Sequence, residues 1–176
     1  MEAELLTHQE ALMRQRGMDV ASLFAEHHVG LVRLALIMVG DHATAEDVVQ
    51  NAFIRVHAGR AKLRDVDKAL AYVRSAVLNC CRSVLRKRAL TFRRATPYEP
   101  PVWSAESAAL VGEERREVLT ALQGLPRRQR EALTLRYYCD LADQEIADCM
   151  GIGASTARST IARGLAALAR TLGESS

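Results

Sequence analysis

The sequence predicts an all-α protein of two small helical domains joined by a flexible linker, and three observations carry that prediction. Alanine and leucine dominate, while only four of the 176 residues are proline. Apolar residues recur at helical rather than strand spacing through most of the chain. The one stretch that loses this periodicity, 89–112, holds three of the four prolines. Apolar residues make up 49% of the chain, enough to build a core at this length, although only 5% are aromatic.

In chain order, the first domain is expected over 18–88. The run FAEHHVGLVRLALIMVGD sets Phe24, Val29, Leu31, Leu34, Leu36 and Ile37 on a broad apolar face that Gly40 and Asp41 end. In DHATAEDVVQNAFIRVHAG, Val48, Val49, Ala52, Phe53 and Val56 recur at helical intervals and Gly59 stops the helix. Asp47, Gln50, Asn51 and Ile54 lie on the other side, forming one polar surface with a single apolar residue. A third helix is expected from about Ala69 to Arg88. At about 100° per residue its Leu70, Val73, Val77, Cys81 and Val84 keep to a narrow stripe. Ser75, Asn79, Arg82 and Arg86 gather opposite it within roughly 60°. A merely solvated face usually mixes signs, but this one holds hydrogen-bonding heads and arginine with no acid, so it points to nucleic acid.

Residues 89–112 read as the linker, and these 24 residues could reach roughly 80 Å if extended. Trp103 within it has two open readings, docking onto a partner or local packing. The second domain is expected over 113–172. EERREVLTALQGLP forms a short helix through Val118, Leu119 and Leu122, closed by Gly124. Pro126 then suits the first turn of RRQREALTLRYYCD. DQEIADCM follows, with Gly151 at its left-handed end, and a last helix runs from about Ala154 to Leu172. The run GIGASTARST between them lacks the Lys and the leading strand of a phosphate-binding loop. Ile146, Ala147, Ile152, Ala157 and Ile161 suffice instead for the small core of a helix-turn-helix.

Charge and cysteine usage narrow the function. The net charge of +3 is too small to indicate nucleic acid alone, but the bases cluster. Arg82, Arg86, Lys87, Arg88, Arg93 and Arg94 occur within 82–94 without an acid. Arg127, Arg128 and Arg130 follow, and beyond Met150 the bases Arg158, Arg163 and Arg170 face one acid, Glu174. Cys80, Cys81, Cys139 and Cys149 show no zinc spacing and read as free, buried thiols suited to a cytoplasmic location. The longest apolar run, Leu34 to Val39, is too short to span a bilayer, so no membrane insertion is expected.

Three motifs in order resemble a bacterial RNA polymerase sigma factor of the extracytoplasmic-function (ECF) group, over about residues 18–172. AEDVVQNAFIRVH resembles the family's helix that binds the clamp helices of core RNA polymerase. AYVRSAVLNCCRSVLRKR resembles its segment for recognising and melting the −10 promoter element. LPRRQREALTLRYYCDLADQEIADCMGIGASTARSTIARGLAAL resembles its reader of the −35 element. The resemblance implies polymerase contact through Asp47 and Gln50, with Phe53 in the core and Asn51 and Ile54 beside them. It implies −10 contacts from Ser75, Asn79, Arg82 and Arg86, and a loop between Gly59 and Asp67 that captures a flipped base. On the recognition helix it implies −35 contacts from Ser155, Thr156, Arg158, Ser159 and Arg163. Core RNA polymerase and promoter DNA are the partners implied, with an anti-sigma factor as a further one; no cofactor or metal is.

The chain departs from the family at Ala142, where a capping serine is usual and Asp143 is an alternative cap. It departs again at Gly153, at Thr160 in place of arginine, and at Gly164 inside the last helix, where glycine costs about 1 kcal/mol against alanine. Two rivals are weaker. His8, His27, His28, His42 and His57 show no spacing for a metal or a base, which argues against an enzyme. A stand-alone helix-turn-helix regulator would share the second domain, but needs neither the Asp47 and Gln50 surface nor the Ser75–Arg86 face.

If 89–112 only joins two separately folded domains, limited proteolysis should cut there first and leave two resistant helical fragments. First cleavage within 69–88 would move the boundary.

Overall fold

A computed structural model of the chain describes residues 20–58, 66–92 and 113–174. Most of the loop after Gly59, Trp103 and most of the linker lie outside the described residues. Among those described are seven α-helices and one π-helical turn, with no strand: α1 (Val20–Val39), α2 (His42–Ala58), α3 (Val66–Phe92), α4 (Glu113–Gly124), α5 (Arg127–Leu133), the π turn (Thr134–Tyr138), α6 (Asp143–Met150) and α7 (Ala154–Glu174).

α1, α2 and α3 form the first lobe. Leu31, Leu34, Leu36, Met38 and Val39 of α1 are buried with Val48, Val49, Ala52, Phe53 and Val56 of α2 and Val73, Val77 and Cys81 of α3. Val29, which periodicity put on the apolar face, is instead 62% exposed. By length and composition Ala21–Val39 could cross a membrane, a property that counting uninterrupted runs missed because Arg33 breaks the run. Its leucines are packed in the core instead. Phe24 meets Phe53 edge-on with ring centroids 4.8 Å apart, a favoured aromatic geometry.

The α1–α2 corner is fixed by two residues. Gly40 takes a φ of 90°, ending α1 in a conformation that favours glycine. Asp41 caps α2, accepting from the Thr44 amide at 2.8 Å. Arg88 of α3 then donates to the Asp41 carboxylate at 2.6 Å, to Val39 O at 2.7 Å and to Thr44 Oγ1 at 2.9 Å. One arginine of the basic run therefore serves the fold. α3 also extends beyond its expected limits, and residues 89–92, assigned to the linker, are helical. ALTF contains no breaker, and the Thr91 hydroxyl bonds back to Lys87 O; the first proline comes only at 97.

In the second lobe Pro126 stands at the N-cap of α5 rather than in its first turn. α5 runs on into the π turn. α6 ends as expected: Gly151 has φ 66° and ψ 40°. The Ile152 amide reaches back to Ala147 O at 3.0 Å, the long bond of a Schellman end. Ile146, Ala147, Ala157 and Ile161 are buried and Ile152 half-buried, which holds α6 across α7. Gly164 has a packing reason. A Cβ there would stand 3.1 Å from Leu133 Cγ and 3.3 Å from Gln129 Cβ, so glycine lets α7 approach α5 closely. Asp143 does not cap α6. The N-cap is Ala142, whose amide donates to Glu145 at 2.8 Å.

The buried apolar residues of both lobes form one continuous cluster, with α1 packed against α4 and α5, and α3 against α6.

Burial would raise the Asp41 carboxyl, but the bonds from Thr44 and then Arg88 outweigh it and hold it below its ordinary value. A depressed carboxylate contributes stability that is complete above its unfolded pKa and is lost as pH falls through the folded one. Asp41→Asn should therefore destabilise by about 0.5–1 kcal/mol at neutral pH. In denaturant titrations the variant and the parent should converge in strong acid. An equal gap at both pH values would assign the effect to packing.

Candidate nucleic-acid interface

α2 presents Asp47, Gln50, Asn51 and Ile54 together on its outer side, all exposed. Asn51 Nδ2 donates to Asp47 O at 2.8 Å, which orders the amide along the helix. Ile54 is 65% exposed, an apolar side chain in a polar surround. Such a patch suits a protein partner.

The four residues expected on the −10 face of α3 have two different fates. Asn79 and Arg86 are exposed. Arg82 is not free. Its Nε donates to Glu131 Oε2 at 3.2 Å and its Nη2 to Oε1, while Nη1 donates to Asn79 Oδ1 at 2.7 Å. Glu131 belongs to α5 of the second lobe and is 1% exposed. Ser75 is half-buried on the side of α3 that the second lobe reaches, where the Cys149 thiol of α6 donates to Ala71 O at 4.0 Å. The second lobe thus lies over half of the predicted face, and a carboxylate stands where Arg82 would meet a phosphate. Periodicity carried a signal for Glu131, since it precedes the buried Thr134 and Leu135 by three and four residues.

Folding also gathers two basic clusters that are distant in sequence. Leu85, Arg86 and Ala89 of α3 with Pro126, Arg127, Arg128 and Arg130 line a cleft of about 660 Å³. Arg127 and Arg128 were not among the expected site residues, because only the packing of the lobes brings them beside Arg86.

On α7, Ser155, Thr156, Arg158, Ser159 and Arg163 are all exposed along one side. Arg163 Nε donates to Ser159 O at 3.1 Å and the Ser159 hydroxyl to Thr156 O at 3.0 Å. Thr160 is buried, its hydroxyl bonded to Thr156 O at 2.7 Å, so this departure faces the core.

The histidines do more than their spacing suggested. His28 Nε2 lies 3.1 Å from one oxygen of Glu46 and His42 Nε2 lies 3.7 Å from the other, joining α1 to α2. Among the described residues, no three such side chains are placed to hold a metal. The cysteines are free. Burial, with the adjacent Cys80 and Glu131, pushes the Cys81 thiol up to about 12 despite Arg130 and Arg82. That thiol stays protonated and unreactive at neutral pH.

Glu131→Ala would leave Arg82 facing an apolar seam. Breaking a buried pair costs about 3–5 kcal/mol. Arg82 keeps a quarter of its side chain exposed, which places the loss near the lower figure. The radius of gyration from X-ray scattering should rise with helical content unchanged. An unchanged radius would limit Glu131 to packing within its own lobe.

Comparison with known proteins agrees with this layout. Residues 23–91 match the family Sigma-70 region 2, and 115–168 match Sigma-70, region 4. The ECF RNA polymerase sigma factor SigM of Mycobacterium tuberculosis is 32% identical over 154 residues, covering 86% of this chain and 76% of the relative. The RNA polymerase sigma-E factor of Streptomyces coelicolor is 29% identical over 143 residues, covering 81% and 79%. Among solved structures, the fold is similar to the sigma factor RpoE of Bartonella quintana in complex with the anti-sigma factor NepR. There the TM-score is 0.70 and the identity 20%, with 86% of this chain and 97% of that one covered. CnrH in complex with the cytosolic domain of CnrY has a TM-score of 0.66 at 22% identity, covering 98% and 97%. Two sigma-70 regions in order, one on each lobe, and a relative matched along most of its length make this chain a member of the ECF group of the sigma-70 family of RNA polymerase sigma factors.

Proposed function

We propose that this sigma factor binds core RNA polymerase through the outer face of α2, reads the −10 element with α3 and reads the −35 element with α7. The observation that carries the reading is the common exposure of Asp47, Gln50, Asn51 and Ile54 opposite a fully buried face. Nothing in the packing of the lobe requires that surface. Asn79 and Arg86 on α3, and Ser155, Thr156, Arg158, Ser159 and Arg163 on α7, supply the DNA contacts. Domain limits of 18–88 and 113–172 suit these roles, with the first lobe's last helix running four residues further. The chain acts by binding, not catalysis, and works in the cytoplasm, where polymerase is. An anti-sigma factor is a further partner.

Geometry adds a requirement. The −10 and −35 elements lie about 25 base pairs apart, roughly 85 Å along B-DNA. A compact chain of this length is only about 40 Å across. Both elements can be read together only once the lobes part. Arg82 then leaves Glu131 and becomes available to a phosphate.

Charge reversal by Asp47→Arg should abolish holoenzyme assembly in a pull-down with core polymerase while leaving helical content unchanged. Normal assembly would place the interface elsewhere.

The DNA contacts separate by their salt dependence. A base contact carries about 1–3 kcal/mol of discrimination at one position. A phosphate contact weakens all sequences alike and lowers the salt slope by about one. On a promoter panel at several salt concentrations, Asn79→Ala should alter preference in the −10 element and Arg158→Ala in the −35 element. Arg86→Ala should mainly lower the slope. A uniform loss for Arg158→Ala would reduce it to a backbone contact.

A further inference from the structure

Asp143 opens α6, and its carboxylate joins two arginines from different segments. Oδ1 pairs with Arg136 of the π turn, and Oδ2 lies 3.6 Å from Nη1 of Arg158 on α7. Arg136 is itself anchored, donating to Leu141 O at 2.8 Å. A chain of contacts therefore runs from a fixed backbone carbonyl through Arg136 and Asp143 to the head of Arg158. Capping does not account for Asp143, because it is the first residue inside α6 and the N-cap is Ala142. Asp143 is 29% exposed and Arg158 65% exposed, so the carboxylate stands at ion-pair distance beside one edge of the guanidinium and leaves the others open.

We propose that Asp143 is a positioning residue for −35 recognition, orienting Arg158 so that its fork meets one base edge without Asp143 touching DNA. The proposal rests on the reading of Arg158 as a base contact. An arginine free to rotate must be ordered when it binds, whereas one already held loses less. The planar fork has five N–H donors, so one edge can stay on Asp143 while another faces the groove. The arrangement links the helix-turn-helix scaffold to the reading side chain through side chains alone.

The test uses holoenzyme on a panel of promoters carrying single base changes through the −35 element, at several salt concentrations. Arg158→Ala should lose discrimination at one position, by about 5- to 150-fold for a single base contact. Asp143→Asn should lose part of it, several-fold, at that same position and with the salt slope unchanged. Asp143→Glu should restore most of the preference. Asp143→Asn should add nothing in the Arg158→Ala background. Should Asp143→Asn fold poorly by circular dichroism, Asp143→Ser serves in its place.

Equal strengthening of all promoters by Asp143→Asn, with a steeper salt slope, would show that the carboxylate only repels phosphate and would overturn the proposal. Discrimination lost in Arg158→Ala but intact in Asp143→Asn would overturn the positioning role alone. A uniform loss for Arg158→Ala would instead overturn the reading of Arg158 beneath it.

Discussion

The ion pair between Glu131 and Arg82 decides how the two lobes sit and which surfaces face solvent. Glu131 is almost wholly buried. A buried carboxylate without a partner is costly, and a bidentate guanidinium is among the few groups that offset the loss of water. Glu131 therefore needs Arg82, which lies on the polar face of α3 beside Asn79. The remaining contacts between lobes follow the same seam. Gln123 of α4 donates to Ile37 O of α1, while within the second lobe its side-chain oxygen accepts from Arg130. The Tyr138 hydroxyl donates to Gly30 O at 3.3 Å.

α3 consequently has three duties along one helix. Its stripe of Val73, Val77 and Cys81 closes the first core. Its Arg88 secures the α1–α2 corner, and its Ser75 and Arg82 meet the second lobe. Only Asn79 and Arg86 remain outward among the four residues that the sequence grouped together.

The second lobe shows how little volume a helix-turn-helix needs when helices approach closely. Alanine at 147 and 157, and glycine at 164, bring α6 and α5 against α7 with few large side chains. Tight spacing also explains the departures from the family pattern. Thr160 turns inward, Gly164 admits Leu133, and Glu145 accepts from the amide of Ala142 although no capping hydroxyl stands there. Asp143, released from capping, is left for Arg136 and Arg158.

The sequence by itself determined the helices, their ends at Gly40 and Gly151, the buried faces of α2 and α3, and the outward residues of α2 and α7. Those features rest on local rules, the 3.6-residue period and the backbone freedom of glycine, which each segment carries within itself. It missed that Val29 faces solvent and that α3 runs on to Phe92. Periodicity reports a direction around a helix, not what stands opposite. Only the tertiary structure decided the partners of Arg82, Arg88 and Asp143, and the meeting of Arg86 with Arg127 and Arg128. Arg82 and Arg88 pair with residues 49 and 47 positions away, and no spacing rule reaches that far. A charged side chain reads alike in sequence whether it waits for DNA or holds a neighbour, because the choice depends on which lobe surface folding brings within hydrogen-bond reach.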